Sequence, residues 1–212
     1  MIRLAMTGIT AMQQLRPFKT APVLVALALT LALPGCLSLG GKLPPTLLTL
    51  TAAAPLPAGT VTSGDPRTAI MVMEPETDQR LAAVRVPVQI DDTNVAYLKG
   101  ASWVERPARL FRALLAETLR GKTNTLVLED SQAAANIGVR VSGRLIDLGY
   151  DARTSSVVVR FEAIRSGTAG AVVTKRFESI VPGIVAKPEF VGPALNRAAN
   201  DVAGQVAAWV TG

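Results

Sequence analysis

Few side chains in this sequence can do chemistry, and the most telling is Cys36, the single cysteine among 212 residues, set in "LPGC" (33–36). A thiol serves as nucleophile, metal ligand, half of a disulfide, or point of covalent attachment. One cysteine makes no internal disulfide and no C-x-x-C redox pair. The chain has no histidine, which removes the imidazole general base, the Ser–His and Cys–His pairs, and the ordinary zinc site. Carboxylates remain. Asp91-Asp92 and Glu129-Asp130 are adjacent acids. A hard cation needs several converging oxygens, so each pair reads more simply as a turn or a strand end than as a metal site. No two acids are spaced persuasively for a carboxylate hydrolase. Neither G-x-x-x-x-G-K-[ST] nor a strand-following G-x-G-x-x-G is present, so no nucleotide site is indicated.

Binding groups come next. Tyr97 and Trp103 are candidates for a partner surface, because aromatic side chains dominate interface hot spots. The competing reading packs Trp103 where a hairpin meets a helix. Arg140, Arg144 and Arg160 alternate with apolar residues, either as a stripe for acidic headgroups or an acidic partner, or as a plain solvated face. The net charge is +6. Three of the basic residues, Arg3, Arg16 and Lys19, precede Cys36, leaving 19 Lys and Arg against 16 acids, or +3. That mixed surface is not a nucleic-acid footprint, which needs clustered basic residues.

The elements around Cys36 give it a role. Residues 1–20 hold three positive charges and no acid, and the apolar "APVLVALALTLAL" (21–33) follows without a charged residue. A basic start, a short apolar run and small residues before a cut form the layout of a secretory signal. Thirteen residues are too few to cross a bilayer core, which takes roughly 20 in a helix. Cys36 therefore reads as the first residue after a signal peptide spanning 1–35. The stretch resembles the bacterial lipobox L-[AS]-[GA]-C, with Leu33, Gly35 and Cys36 in place and Pro34 a less usual occupant. The resemblance implies thioether attachment of diacylglycerol to Cys36, cleavage before it, and acylation of the new amine. Several acyl chains on one residue make a durable anchor, where one is marginal. Leu37, rather than Asp, follows the cysteine, which by analogy with the enterobacterial sorting rule favours the outer membrane over the inner.

Residues 36–66, rich in Pro, Gly, Ala and Thr, read as tether and loop, with a candidate strand at 46–50. A single domain is expected over 67–212. "AIMVM" (69–73) is a short apolar strand, and "AAVRVPVQI" (82–90) alternates, with Pro87 marking an edge or bulge. Asp91-Asp92 turn the chain, and 94–100 returns as a hairpin. From Pro107 the spacing becomes helical through Leu110, Phe111, Leu114, Leu115 and Leu119, with Gly121 as the terminating residue. Three alternating stretches, 136–150, 155–164 and 170–181, read as an antiparallel meander. A helix over 188–210 closes the chain. The expected fold is α+β: a mostly antiparallel sheet with two amphipathic helices on one face.

The stretch 78–119 resembles the signature region of the ABC-type transport auxiliary lipoproteins. Its matching residues are Tyr97, Trp103, Glu105, Pro107, Leu110, Leu114 and Leu119, and the order of later elements agrees. The resemblance implies a non-catalytic, lipid-anchored component on the periplasmic face of the outer membrane. It implies no cofactor and no nucleic acid. Its implied partners are an MCE-domain protein and an ABC permease and ATPase that move lipid between membranes, together with a homo-oligomer. An envelope interaction lipoprotein, either a peptidoglycan-synthase activator or a pilotin, is the alternative, since fold does not fix function.

Overall fold

The computed structural model describes residues 46–129, 136–167 and 170–212. Cys36 and the segment before it lie outside the described residues, as does Asp130. After a 3-10 turn at Pro66–Thr68, the buried Ile70–Val72 form β1 and Glu76–Thr77 form β2. A helical turn, α1 (Gln79–Ala82), is started by Asp78, whose carboxylate accepts the Leu81 amide hydrogen, the usual N-cap device. β3 (Arg85–Gln89) and β4 (Val95–Ser102) make the expected hairpin, followed by α2 (Pro107–Lys122) and β5 (Val127–Glu129). Then come the long strands β6 (Val139–Asp151), β7 (Ser156–Gly167) and β8 (Val172–Val181), and finally α3 (Pro188–Thr211). Both main helices begin with proline, which suits a first turn whose amides have no helical acceptor.

β6 organises the sheet. One edge pairs antiparallel with β7 along its length, and β7 pairs antiparallel with β8. The other edge is shared by three short strands, all parallel to it: β1 at Val139–Val141, β2 at Arg144–Leu145, and β3 at Tyr150–Asp151. Beyond them, β5 lies parallel to β1 and β4 antiparallel to β3. The sheet is therefore mixed. The meander and the hairpin are antiparallel as expected, and the joins between them are parallel.

One face carries the core. Val141, Leu145, Leu148 and Tyr150 of β6 and Val157, Val159, Phe161 and Ala163 of β7 share a cluster with the apolar stripes of both helices. Phe111 of α2 meets Phe161 with ring centroids 5.0 Å apart. Both rings are almost fully buried, so truncating either to alanine would cost about 3–5 kcal/mol. The alanines of α3, Ala194, Ala198, Ala199, Ala203 and Ala207, are buried as well; their small volume lets the helix lie close on its neighbours.

Two local features depart from expectation. Gly121 does not end α2, which runs on to Lys122 with Thr123 as its C-cap. A Cβ on Gly121 would stand 3.2 Å from the Ala54 carbonyl oxygen, so the glycine admits a neighbouring chain rather than a helix end. That neighbour belongs to residues 46–56, which lie against the helices. Leu48 makes a single bridge to Trp103 in place of a strand over 46–50. Thr51 and Ala53 amides donate to Asn196 and Asn200 side chains at 2.9 and 2.7 Å. The Leu56 amide donates to Glu117 at 2.7 Å. These contacts make residues 46–56 a strap across α3 and α2.

Candidate interaction site

Trp103 is 2% exposed. Its amide donates to Val84 O and its indole Nε1 has no hydrogen-bond partner. The side chain packs where the hairpin, the strap and α2 converge, and it offers no surface to a partner. Tyr97 is half-buried, with the Arg85 guanidinium 4.2 Å above its ring. The two aromatics therefore do not form one exposed patch.

The adjacent acids divide their work. The Asp91 carboxylate accepts from the Thr93 and Asn94 amides, the Thr93 hydroxyl and the Asn94 side chain, all within 3.0 Å. The Thr93 amide bond is the largest of several that together hold its pKa down to about 2. Asp92 instead pairs with Arg153 across to the β6–β7 turn. Glu129 bonds Arg112 and Arg120 of α2. Among the described residues, no group of three acids or thiols is placed to hold a metal ion.

The arginine stripe lies on the sheet face away from the helices, where Arg160 meets carboxylates. Asp147 sits between two guanidiniums, Arg80 at 2.8 Å and Arg160 at 2.5 Å. Arg160 also pairs with Glu178 of β8, and Glu162 pairs with Arg176. The result is an alternation of charge across β6, β7 and β8. A hollow of about 290 Å³ opens beside it, lined by Arg80, Asp147, Gly149, Asp151, Arg153 and Arg160. Burial works against the charge on Arg80, but Asp78 and Asp147 outweigh it and raise its pKa. The Arg153 hydrogen bond lowers the pKa of Asp151. Carboxylates held as anions in this way bind cationic groups well and are poor proton donors near neutral pH. Arg140 stands apart, lining a wider depression of about 670 Å³ at the start of β6 with Arg67, Asn136 and Ser166.

Arg80 and Asp147 carried no signal as single residues. The readable trace is a break of parity in "GRLIDLGY". Leu145 and Leu148 both enter the core although three positions apart, because the register shifts between Leu145 and Asp147. A bulge of this kind re-aims the side chain beside it. Here it turns Asp147 outward and leaves the Ile146 carbonyl free to accept from Arg80 at 2.6 Å.

The sequence model of a family described as "ABC-type transport auxiliary lipoprotein component" matches residues 48–207. The chain belongs to that family. The matched region starts within the strap and ends in α3, so it takes in the whole described sheet. A search of curated proteins gives no match. Among solved structures, a Xanthomonas campestris protein of family DUF330 superposes with a TM-score of 0.62 at 15% identity, covering 77% of this chain and 94% of that one. A second crystal structure, of an uncharacterized protein, gives 0.60 at 13% identity, covering 71% and 96%. At such identity these neighbours establish the fold alone. As an auxiliary lipoprotein, the chain is a membrane-anchored envelope component associated with an ABC-type transporter.

Proposed function

We propose that this auxiliary lipoprotein is a non-catalytic binding component of an MCE-type ABC lipid transport system, held by Cys36 on the periplasmic face of the outer membrane. The observation that carries the reading is the family match across 48–207. The chemistry of the chain supports it. There is no histidine and no thiol besides Cys36, and the carboxylates of the open sheet face are engaged with arginines. Energy for transport would come from the partner ATPase. The outer edge of β8, ten residues long and paired among the described residues only with β7, is a candidate surface for a partner or a second copy, because an edge strand presents open backbone donors and acceptors.

Affinity capture of the full lipidated chain from envelope extracts tests this. Recovery of an MCE-domain protein or its permease is expected, together with raised detergent sensitivity in a deletion strain. Recovery of peptidoglycan synthases or a secretin, with normal lipid asymmetry, would replace the reading with that of an envelope interaction lipoprotein.

A further inference from the structure

The strap fixes where the anchor-bearing segment leaves the domain. The Leu48 amide donates to Ser102 O and its carbonyl accepts from the Val104 amide, both at 2.8 Å. The Leu48 side chain lies against Gly192, where an added Cβ would come within 2.7 Å of it. From there the strap follows α3 toward its C-terminus, passing Asn196 at Thr51 and Asn200 at Ala53. Traced back toward Cys36, the chain therefore exits at the first turns of α3. Thr46 lies ten positions after Cys36, and even fully extended that stretch spans no more than about 35 Å. An anchor on so short a leash keeps this end of the domain near the bilayer.

The same end leaves four large apolar side chains exposed. Leu47 is 46% exposed, Val104 55%, Val185 55% and Phe190 49%. Backbone bonds group them in two sets, which the Leu48 side chain against Gly192 brings together. Val104 is bonded to Leu48, the Lys187 amide donates to Val185 O, and the Phe190 amide donates to Lys187 O. An added Cβ on Gly100 would stand 3.8 Å from the Pro188 ring, so Lys99 and Lys187 each precede, in the chain, one side of this contact. Glu189 is the one acid in the first turn of α3, and Glu105 beside Val104 is paired with Arg109. Helical side chains tilt toward the N-terminus, so Phe190 leans toward the exit of the tether.

We infer that this end is a membrane-contact surface: Phe190, Val185, Val104 and Leu47 enter the interfacial layer of the anchoring bilayer, and Lys99 and Lys187 meet its anionic headgroups. The inference rests on the lipid anchor at Cys36 and goes beyond it, because it gives the domain a fixed stance. Aromatic and aliphatic groups flanked by lysine match the chemistry of the headgroup–acyl boundary, where apolar tips bury and amines stay among phosphates. With that end seated, the C-terminus of α3 points away from the membrane. So does the Arg67–Arg140 depression, since Arg165, one strand over from Val141, donates to the Trp209 carbonyl.

The test uses the lipidated full chain in vesicles of phosphatidylethanolamine and phosphatidylglycerol. Phe190→Trp is compared with Val61→Trp, a 90% exposed position in the loop beyond the far end of the strap. With the emission of the parent protein subtracted, Phe190→Trp should shift to the blue and lose intensity when the acyl chains are brominated, while Val61→Trp should do neither. Lys99→Glu with Lys187→Glu should weaken that loss. In the parent protein, amides 185–191 should exchange more slowly on vesicles than in detergent. Flotation with the vesicles but equal quenching at both positions and unchanged exchange would overturn the contact surface and leave the anchor standing. Failure to float would overturn both.

Discussion

The Asn200 side-chain amide donates to the Thr51 carbonyl at 2.8 Å, across 149 residues of sequence. One turn earlier, Asn196 accepts the Thr51 amide, and Asn200 itself accepts the Ala53 amide. Two asparagines on one face of α3 thus satisfy the strap's backbone as a neighbouring strand would, and Asn196 also donates to the Thr51 hydroxyl at 3.3 Å.

Replacing both asparagines, Asn196→Ala with Asn200→Ala, should cost about 3 kcal/mol, near 1 for each of the three strap backbone bonds lost. Urea unfolding measures the loss. Amide exchange at Thr51 and Ala53 should quicken well before the core amides respond. Unchanged exchange at those two positions would mean the strap is held by other contacts.

A fragment of residues 66–212 should fold less stably than one of residues 46–212. Removing the strap uncovers Leu50 and the Leu48–Trp103 bridge and leaves Gly121 facing empty space. Trp103 should then emit further to the red. Equal unfolding midpoints for the two fragments would show the strap to be dispensable.

Asp147→Ala should destabilise the domain by about 1–2 kcal/mol, because it removes the carboxylate two half-buried guanidiniums share and leaves Arg80 with Asp78 and Arg160 with Glu178. Partial exposure keeps the figure below that of a fully buried pair. The deficit, read from urea midpoints, should shrink as salt screens the interaction in the parent.

Acid should loosen the β3–β4 turn. Asp91 has its folded pKa lowered to about 2, against an unfolded value near 3.9. A lowered folded pKa means that the contribution is complete above the unfolded value and is lost as pH falls through the folded one. Amide shifts of Thr93 and Asn94 should therefore stay constant above about pH 4 and move with a midpoint near 2. A midpoint near 4 would show that the carboxylate is not capping the turn.

Cys36→Ser should abolish acyl labelling and leave an uncleaved or soluble form, because serine supplies no thiol for the thioether. Labelled lipid precursor and the mobility of the product read both effects. Persistent labelling would remove Cys36 as the attachment point.

Much of this molecule is legible along the chain. The helical recurrence of Leu110, Phe111, Leu114, Leu115 and Leu119, and of Val191, Leu195, Ala198, Val202 and Val206, marks both long helices to within a residue or two. The alternation in 139–181 marks the meander. These signals are local: each apolar face is written at the period of its own element, 3.6 or 2. The lipobox resemblance around Cys36 is equally local. So is the parity break at Leu145–Leu148, although its consequence, an outward Asp147 shared by Arg80 and Arg160, needs three separate segments in place.

Other features are decided only when the chain closes on itself. β1, β2 and β5 are two or three residues long, too short to carry a period, and their parallel seats on β6 and β1 depend on which edges the meander leaves open. Gly121 looks like a helix end because glycine permits both a left-handed turn and a close approach, and only the position of Ala54 selects between them. Trp103 could face a partner or the core by its type alone; the strap that covers it arrives from 55 residues upstream at Leu48. Past the apolar run at 46–50, the strap shows no pattern, since asparagine side chains hold its backbone. A backbone hydrogen bond has no residue type, so the sequence of the strap cannot record it. The structure places its partners one turn apart on a helix that begins 140 residues after Leu48.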